Sequence, residues 1–350
     1  MGTFINRGNE KLRISRRSKI YVDKSLLITA LNDVIGSEDS FLCISRPRRF
    51  GKSMAANMIS AYYDESCDSR LLFEDLKISK EPSFETHLNK YPVIKLDIPT
   101  VLSVMNKTDT FEVAFNQCIL KDIYKYYPSV EKENFSSVAE AIFYLYEQNK
   151  KKFVFIIDEW DAIFREYPND IEDQKSYIQI LRDLFKSNAS NSIALCYMTG
   201  ILPIKKYNTE SALNNFKEFT MLKPFFMAPY IGFTEEEVKP LCEKYNMPFA
   251  DIKSWYDGYE FKGVGSIYSP FSVVNALTNH EISNYWIETS SADAAKDYIN
   301  INVDGLKEDV INMSLGQRVS VDVSSFENDF VNLHNKDQVM TLLIHLGCRK

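Results

Sequence analysis

Residues 41–53 read Phe-Leu-Cys-Ile-Ser-Arg-Pro-Arg-Arg-Phe-Gly-Lys-Ser, and they give the clearest indication of local structure in the sequence. The first four of these residues form a short apolar run that is typical of a buried strand. A polar loop containing a proline follows, and then Met54, Met58 and Tyr62 recur at helical spacing. The sequence therefore predicts a strand, a loop and a helix in direct succession.

The loop is rich in arginine and ends in Gly-Lys-Ser. It resembles a phosphate-binding loop, Gly-x-x-x-x-Gly-Lys-Ser/Thr, with Arg46 in place of the first glycine. In such loops, N–H groups at a helix N-terminus cradle phosphate oxygens, the lysine neutralises the β- and γ-phosphates, and the hydroxyl ligates magnesium. We therefore predict a nucleotide site, with Ser53 as a magnesium ligand. Its predicted binding residues are Arg46, Pro47, Arg48, Arg49, Phe50, Gly51, Lys52, Ser53 and Met54.

Alternatives stay open for the basic residues of this loop. Arg46, Arg48 and Arg49 either clamp phosphates as forked donors or pair with acidic strand ends as part of the fold. Lys52 could be a surface lysine at the start of a helix. A positive charge at that position opposes the helix dipole unless an anion binds, so the dipole argument favours the phosphate site.

A second apolar run, residues 153–157, ends in the acidic pair Asp158 and Glu159. In α/β sheets, ligands bind outside the carboxyl ends of the parallel strands. We predict that Asp158 holds magnesium, directly or through water, and that Glu159 orients or deprotonates the attacking water. The alternative is that both carboxylates simply end a strand in a solvated turn.

Apolar runs and helical patterns alternate through the first two thirds of the chain. Further strands are predicted at residues 93–98, 193–198 and 216–222, with helices between them. This alternation favours an α/β fold, the three-layer sandwich of P-loop NTPases with a parallel sheet.

The pattern changes near Gly232. Thr234 and Glu237 form a capping box, and Ser269 is followed by a proline suited to the first position of a helix. We predict a core domain at residues 1–232 and a mostly helical lid or winged-helix-like domain at residues 233–350.

Two features mark the end of the chain. Residues 319–323 alternate between apolar and polar, which predicts one strand. The last predicted helix carries Val339, Leu342, Leu343 and Leu346 on one face, and that face needs a partner. This raises the expectation that the natural unit continues beyond residue 350 and that the C-terminal domain is truncated.

Composition excludes several classes of protein. Hydrophobic residues make up 45% and charged residues 25%, as in ordinary globular proteins, which excludes a mainly disordered or fibrous chain. Subtracting 48 acidic from 41 basic residues gives −7, so the net charge does not support nucleic-acid binding, which stays open. Six dispersed cysteines and four histidines argue against a disulfide framework or zinc site and for a reducing cytosol. The apolar runs are far shorter than the roughly twenty residues of a membrane span, so we expect a cytoplasmic protein without membrane association.

The sequence resembles the predicted AAA-ATPase-like proteins of bacteria and archaea. The strongest marks are Tyr-Val-Asp-Lys-Ser-Leu-Leu-Ile at residues 21–28, Arg-Pro-Arg-Arg-Phe-Gly-Lys-Ser at residues 46–53 and Ile-Asp-Glu-Trp-Asp at residues 157–161. Further marks are Thr-Gly-Ile-Leu at 199–202 and the segments 232–238, 255–259 and 268–272. The loop without its first glycine is what that family shows.

The resemblance implies an ASCE-type P-loop core that binds ATP and Mg²⁺. It carries over Lys52, Ser53 and Asp158, makes Glu159 the catalytic glutamate, and suggests Thr199 as a polar sensor of the γ-phosphate. The segment from Tyr21 to Leu31 would border the adenine. Members of the family commonly continue into a PD-(D/E)XK-nuclease-like domain, which would begin where this chain ends, so the resemblance does not carry nuclease activity over to these residues.

The leading hypothesis is a magnesium-dependent ATPase whose catalytic residues are Glu159, Lys52 and Thr199. Hydrolysis would move the C-terminal part against the core. The alternative is a nucleotide-gated switch or scaffold that binds ATP without hydrolysing it and regulates a protein partner or a nuclease module. A small-molecule kinase is a third and weaker hypothesis. The sequence does not decide between a protein partner and a homo-oligomer.

Overall fold

The computed structural model describes residues 2–105, 109–204, 206–207, 210–211, 213–261, 263–285, 305–314, 317–324, 326, 333 and 335–347. By packing, the chain divides into two compact units. The first unit contains Met1–Ile44, Ser53–Gly200 and Ser211–Glu218, and the second contains Ser45–Lys52, Ile201–Glu210 and Phe219–Lys350. The domain boundary at residue 232 stays a prediction.

The first unit alternates helices with the strands of one large sheet. Its elements begin with α1 (Glu10–Arg16), α2 (Leu26–Asn32), β1 (Phe41–Ser45), α3 (Lys52–Tyr63), α4 (Arg70–Phe73), α5 (Phe84–His87), β2 (Val93–Asp97), α6 (Ile98–Val104) and α7 (Phe111–Tyr126). They continue with α8 (Val138–Asn149), β3 (Phe153–Asp158), α9 (Ala162–Glu166), α10 (Ile171–Phe185) and β4 (Ile193–Gly200). Short 3₁₀ helices lie at Lys77–Lys80, Pro128–Glu133 and Asn188–Ser192.

The sheet has five strands in the order β2-β3-β4-β1-β7, where β7 is Lys217–Phe219. The β2–β3 and β3–β4 pairs are parallel. The predicted α/β fold is confirmed. The strand predicted at residues 216–222 is present but shorter.

Burial explains why these runs form central strands. Every residue of β3 and of β4 is buried, as expected when helices cover both faces of a parallel sheet. Aromatic rings fill part of the core, where Phe185 lies edge-on to Phe155 at 5.6 Å and to Phe216 at 5.2 Å. These rings pack one face of β3 against α10.

The second unit combines helices with a small antiparallel sheet. Its elements, with two short strands near its border, are β5 (Lys206–Tyr207), β6 (Glu210–Ser211), β8 (Phe233–Thr234), α11 (Glu235–Lys244), α12 (Phe249–Tyr256), β9 (Asp257–Phe261), β10 (Gly265–Tyr268), α13 (Pro270–Asn279), α14 (Leu306–Ser314) and α15 (Lys336–Leu346). A 3₁₀ helix lies at Phe225–Tyr230. The capping box of Thr234 and Glu237 is confirmed, and so is the start of α13 after Ser269.

Two details of this unit differ from the sequence interpretation. Strand β10 pairs with both β8 and β9, a sheet that was not predicted in the helical region. Residues 319–323 form no strand, so that prediction is wrong. Their alternation arises because Val319 and Val321 pack against an apolar cluster that contains Leu306.

The apolar face of α15 has a partner within the chain, which corrects the expectation that its partner lies beyond residue 350. Leu342 and Leu346 pack with Ile201, Leu202 and Phe326. On the adjoining side, Val339, Met340 and Leu343 pack with Leu306. The amphipathic pattern therefore reports a helix buried in its own unit.

His345 on α15 predicts an acid sensitivity of the fold. Its ring is 2% exposed and stacks on Phe326, and burial lowers its pKa to about 4, with the charge of Arg46 acting in the same direction. An unfolded histidine takes up its proton near pH 6.5, so this contribution to stability is complete above pH 6.5 and is lost as the pH falls towards 4. When the pH is lowered from 7 to 4.5, the unfolding free energy of wild type should fall. We expect the fall to be about 2 to 3 kcal/mol smaller for His345→Phe. Denaturant titrations at several pH values measure this, and parallel pH curves would contradict it.

Two further observations concern membrane-spanning helices and cysteines. No described helix combines the length and the apolar character needed to cross a bilayer. Cys43, Cys67, Cys118, Cys196 and Cys242 are free thiols. Cys348 lies outside the described residues.

Candidate nucleotide-binding site

The loop that follows β1 has an unusual backbone. Arg49 has φ +64° and Gly51 has φ +90°, both in the left-handed region. The space beside Gly51 is open, so the positive φ is what favours glycine there. Helix α3 then begins at Lys52, and such turns before a helix N-terminus aim backbone N–H groups at anions.

Lys52 is enclosed by the loop that precedes it. Its Nζ donates to the carbonyl oxygens of Arg46 at 2.9 Å and Pro47 at 2.7 Å, and the residue is only 7% exposed. The interpretation of Lys52 as a surface lysine is therefore wrong. The two carbonyl dipoles offset part of the repulsion between its charge and the start of α3.

The arginines of the loop differ in their surroundings. Arg46 is fully buried, its Nη1 donates to the carbonyls of Ser45 at 2.8 Å and Phe219 at 3.1 Å, and its guanidinium lies 5.8 Å from the Phe261 ring. These contacts favour a structural role for Arg46. Arg48 and Arg49 are exposed, and the guanidinium of Arg49 lies 4.0 Å from the centre of the Phe271 ring.

The loop belongs to the second unit and packs against its sheet and helices. Phe50 lies edge-on to Tyr259 of β9 at 5.6 Å. Pro47 lies close to Gly347, because a Cβ added to Gly347 would be 2.9 Å from Cβ of Pro47. Gly347 has φ +93°. Ser53 and Met54, in the first turn of α3, belong to the first unit and are exposed. The loop is therefore held on one side by residues from the C-terminal part of the chain.

The acidic end of β3 is ordered by hydrogen bonds. Asp158 is 5% exposed, and its Oδ1 accepts from the hydroxyl of Thr199 at 2.6 Å and from the backbone N–H of Glu159 at 3.1 Å. The first unit thus brings Asp158, Glu159 and Thr199 together. The Thr199 hydroxyl donates a hydrogen bond to Asp158 and so orients that carboxylate, a contact that the predicted role as a phosphate sensor did not include. The solvated-turn interpretation does not fit a carboxylate this buried.

Two residues of the neighbouring strand β2 were not predicted. Asp97 lies opposite Asp158 in the β2–β3 register, and its pKa is raised by burial first and by the charge of Asp158 second. Burial also lowers the pKa of Lys95 to about 8, although the charge of Asp158 opposes this, and its Nζ donates to Asn57. The rule that parallel strands end at one sheet edge could have identified Asp97 from the sequence.

Glu159 leaves the strand in a strained backbone conformation. Its φ is +51°, which is uncommon for a non-glycine residue and is found at functional sites when neighbours enforce it. Here Trp160 donates its backbone N–H to the carbonyl of Thr199 at 2.9 Å, and Ala162 donates to the carbonyl of Glu159 at 2.9 Å. The side chain of Glu159 is 42% exposed and pairs with Arg165 at 2.7 Å.

The close packing around this turn explains the glycine at position 200. A Cβ on Gly200 would lie 2.5 Å from Cδ1 of the buried Trp160 and 2.8 Å from Oδ1 of Asp161. We expect Gly200→Ala to lower the unfolding free energy by about 1 to 3 kcal/mol, because the indole must move. Chemical denaturation measures this loss. Trp160→Phe should reduce the cost of the alanine, and an equal cost in both backgrounds would contradict the clash.

The donors at the end of β3 fit a magnesium ion. Mg²⁺ prefers oxygen ligands and keeps several waters, so it needs few ligands from the protein. One carboxylate, such as Asp158, and one hydroxyl, such as Ser53, can suffice. The described hydrogen bonds of Asp158 go to Oδ1, and two adjacent carboxylates, Asp97 and Asp158, favour a nearby cation. Within the described residues, no cluster of three or more His, Cys, Asp or Glu side chains is arranged to hold a metal. The residues therefore suit a site completed by water and phosphate.

The fold is that of an α/β protein, and the loop between β1 and α3 has features of a nucleotide-binding loop. A family model described as predicted AAA-ATPase matches residues 10–209, and the chain belongs to this AAA-ATPase-like family. The matched range contains the loop, the acidic end of β3 and Thr199. The sequence marks at 232–238, 255–259 and 268–272 lie beyond it.

The other comparisons add little. One similar solved chain is that of C. elegans PCH-2, with a TM-score of 0.26 and 11% sequence identity over 97% of this chain and 66% of that chain. No curated protein is significantly similar to this chain.

Proposed function

We propose that this protein binds Mg²⁺ and ATP and hydrolyses the ATP. The observation that carries the proposal is the loop itself, with left-handed residues at Arg49 and Gly51 directly before a helix of 12 residues. Membership of the AAA-ATPase-like family supports it. The strand order gives further support, since β1, which leads into the loop, is separated from β3 only by β4.

Each residue has a proposed task in this reaction. Backbone N–H groups of the loop and the ammonium of Lys52 bind the phosphates. The phosphates compete for this ammonium with the carbonyl oxygens of Arg46 and Pro47, which accept hydrogen bonds from it. Ser53 and Asp158 would hold Mg²⁺, and the ion would supply positive charge that offsets the charge of the phosphates. Thr199 keeps the Asp158 carboxylate oriented. Glu159 accepts the proton of the attacking water.

A binding titration tests the proposal. We expect ATP to bind the full chain at one site, more tightly when Mg²⁺ is present, and ADP to compete with it. Titration with GTP defines the preference for the base, which the loop contacts do not determine. Failure of the folded protein to bind ATP at millimolar concentration would contradict the proposal.

One observation favours the switch as a second candidate. Within the second unit, Phe50 contacts Tyr259 and Arg49 lies over Phe271, so that a phosphate on the loop would disturb residues of the C-terminal part directly. The same contacts support coupling of nucleotide state to movement in that part. A pure switch would retain intact ATP on the protein for hours, whereas an ATPase would not.

A further inference from the structure

Arg165, on α9, is a buried cation that makes two ion pairs. Its side chain is 8% exposed, its Nη2 donates to Oε2 of Glu159 at 2.7 Å, and its Nε donates to Oδ2 of Asp161 at 3.2 Å. Nη1 has no hydrogen-bond partner among the described residues. The position of the guanidinium is therefore set by the two carboxylates.

The two carboxylates are not equivalent. Asp161 is fully buried, so its pairing with Arg165 is a firm anchor, while the Glu159 side chain is 42% exposed and would otherwise rotate in solvent. Burial alone would lower the pKa of Arg165, but the charges of Asp161 and Glu159 raise it, so the cation stays charged. Asp161 thus holds Arg165, and Arg165 holds Glu159.

The backbone of the turn works in the same direction. Glu159 adopts its left-handed conformation between a strand and α9, and the hydrogen bonds of Trp160 and Ala162 fix the turn on both sides. Backbone and guanidinium together leave the glutamate few positions. The ion pair uses Oε2, which leaves Oε1 to accept a proton.

We propose that Arg165 is a positioning residue for ATP hydrolysis, an inference that rests on the proposed function. It holds Oε2 of Glu159 so that Oε1 receives the proton of the attacking water. In that step, the water oxygen forms a bond to the γ-phosphorus and the bond from that phosphorus to the bridging oxygen breaks. ADP leaves with the bonding electrons, and the proton passes from Glu159 to solvent.

A double-mutant cycle tests this role on the full chain. The four proteins are wild type, Arg165→Met, Glu159→Gln and the double variant, each measured for ATP affinity by titration and for hydrolysis rate in a single turnover. We expect Arg165→Met to slow hydrolysis about 10- to 100-fold, because a small misplacement of a reacting group is costly, and to change ATP affinity less than about 3-fold. In the Glu159→Gln background the same substitution should change the rate less than about 2-fold.

Two further variants sharpen the test. Arg70→Met removes another arginine that pairs with a glutamate, Glu85, on the surface, and should leave hydrolysis unchanged. Arg165→Lys keeps the charge beside Asp161 but has no fork to bridge both carboxylates, so we expect its rate to lie between wild type and Arg165→Met. If Arg165→Met does not fold, the cycle with Arg165→Lys decides in the same way.

The outcomes separate the inference from the proposed function. If Arg165→Met slowed hydrolysis equally in the wild-type and Glu159→Gln backgrounds, Arg165 would act only through the fold. If Arg165→Met hydrolysed ATP at the wild-type rate, Arg165 would have no role in hydrolysis. Either result overturns the inference while wild-type hydrolysis stands. Absence of hydrolysis by wild type overturns both.

Discussion

Replacing Lys52 with methionine should weaken ATP binding about 100-fold, corresponding to the loss of about 3 kcal/mol of charge-assisted hydrogen bonding. Methionine follows the same path up to Cε, with sulfur in place of one methylene, and removes the ammonium group. In wild type the residue is 7% exposed and its Nζ is held by two loop carbonyls, so its charge is kept at the loop rather than in bulk water. Calorimetric titration with ATP and Mg²⁺ measures the change.

The control for this prediction is Lys175→Met. Lys175 lies on the exposed surface of α10, where its Nζ is 3.6 Å from Glu172. This variant should bind ATP like wild type. Thermal unfolding of Lys52→Met shows whether the loop tolerates the change, and Lys52→Arg keeps the charge if it does not. Equal ATP affinity of wild type and Lys52→Met in folded protein would contradict the role given to this lysine.

Substituting Glu159 by glutamine should slow hydrolysis about 100- to 1,000-fold and change ATP affinity less than about 3-fold. The amide keeps the shape of the side chain and can still accept from Arg165, but it cannot take a proton from water. The steady-state rate of phosphate release, with ATP saturating, measures the effect.

Glu166→Gln is the matched control for this change. Glu166 ends α9 and is exposed. The Glu166→Gln variant should therefore hydrolyse ATP at the wild-type rate. If the two glutamine variants hydrolysed ATP equally fast, Glu159 would not be the base. A loss of ATP binding by Glu159→Gln would instead give this residue a role in affinity.

Much of the sheet could be predicted because its strands are short apolar runs between turn residues. β1, β2, β3 and β4 all coincide with such runs, since strands buried on both faces need apolar residues throughout. Hairpin β9–β10 was missed because Asp257–Phe261 is half polar and lacks the continuous apolar run of the central strands. Residues 319–323 show the opposite error, since an irregular segment can also bury alternate valines.

The candidate site was predictable to a similar extent. Strand ends and the loop motif identify Lys52, Asp158 and Glu159, since these roles follow from residue type and from position relative to a strand or helix. Arg165 was not among the predicted site residues, because its contact with Glu159 depends on a left-handed turn that periodicity does not reveal. The burial of Arg46 likewise depends on contacts with the distant residues Phe219 and Phe261.

Single-turnover hydrolysis shows whether this protein hydrolyses the ATP that it binds. Protein in excess over ATP labelled at the γ-phosphate is mixed with Mg²⁺, quenched at intervals and assayed for free phosphate. Wild type should convert all bound ATP to ADP and phosphate, whereas Glu159→Gln should still hold intact ATP over the same period. Recovery of intact ATP from wild type after hours would contradict the account.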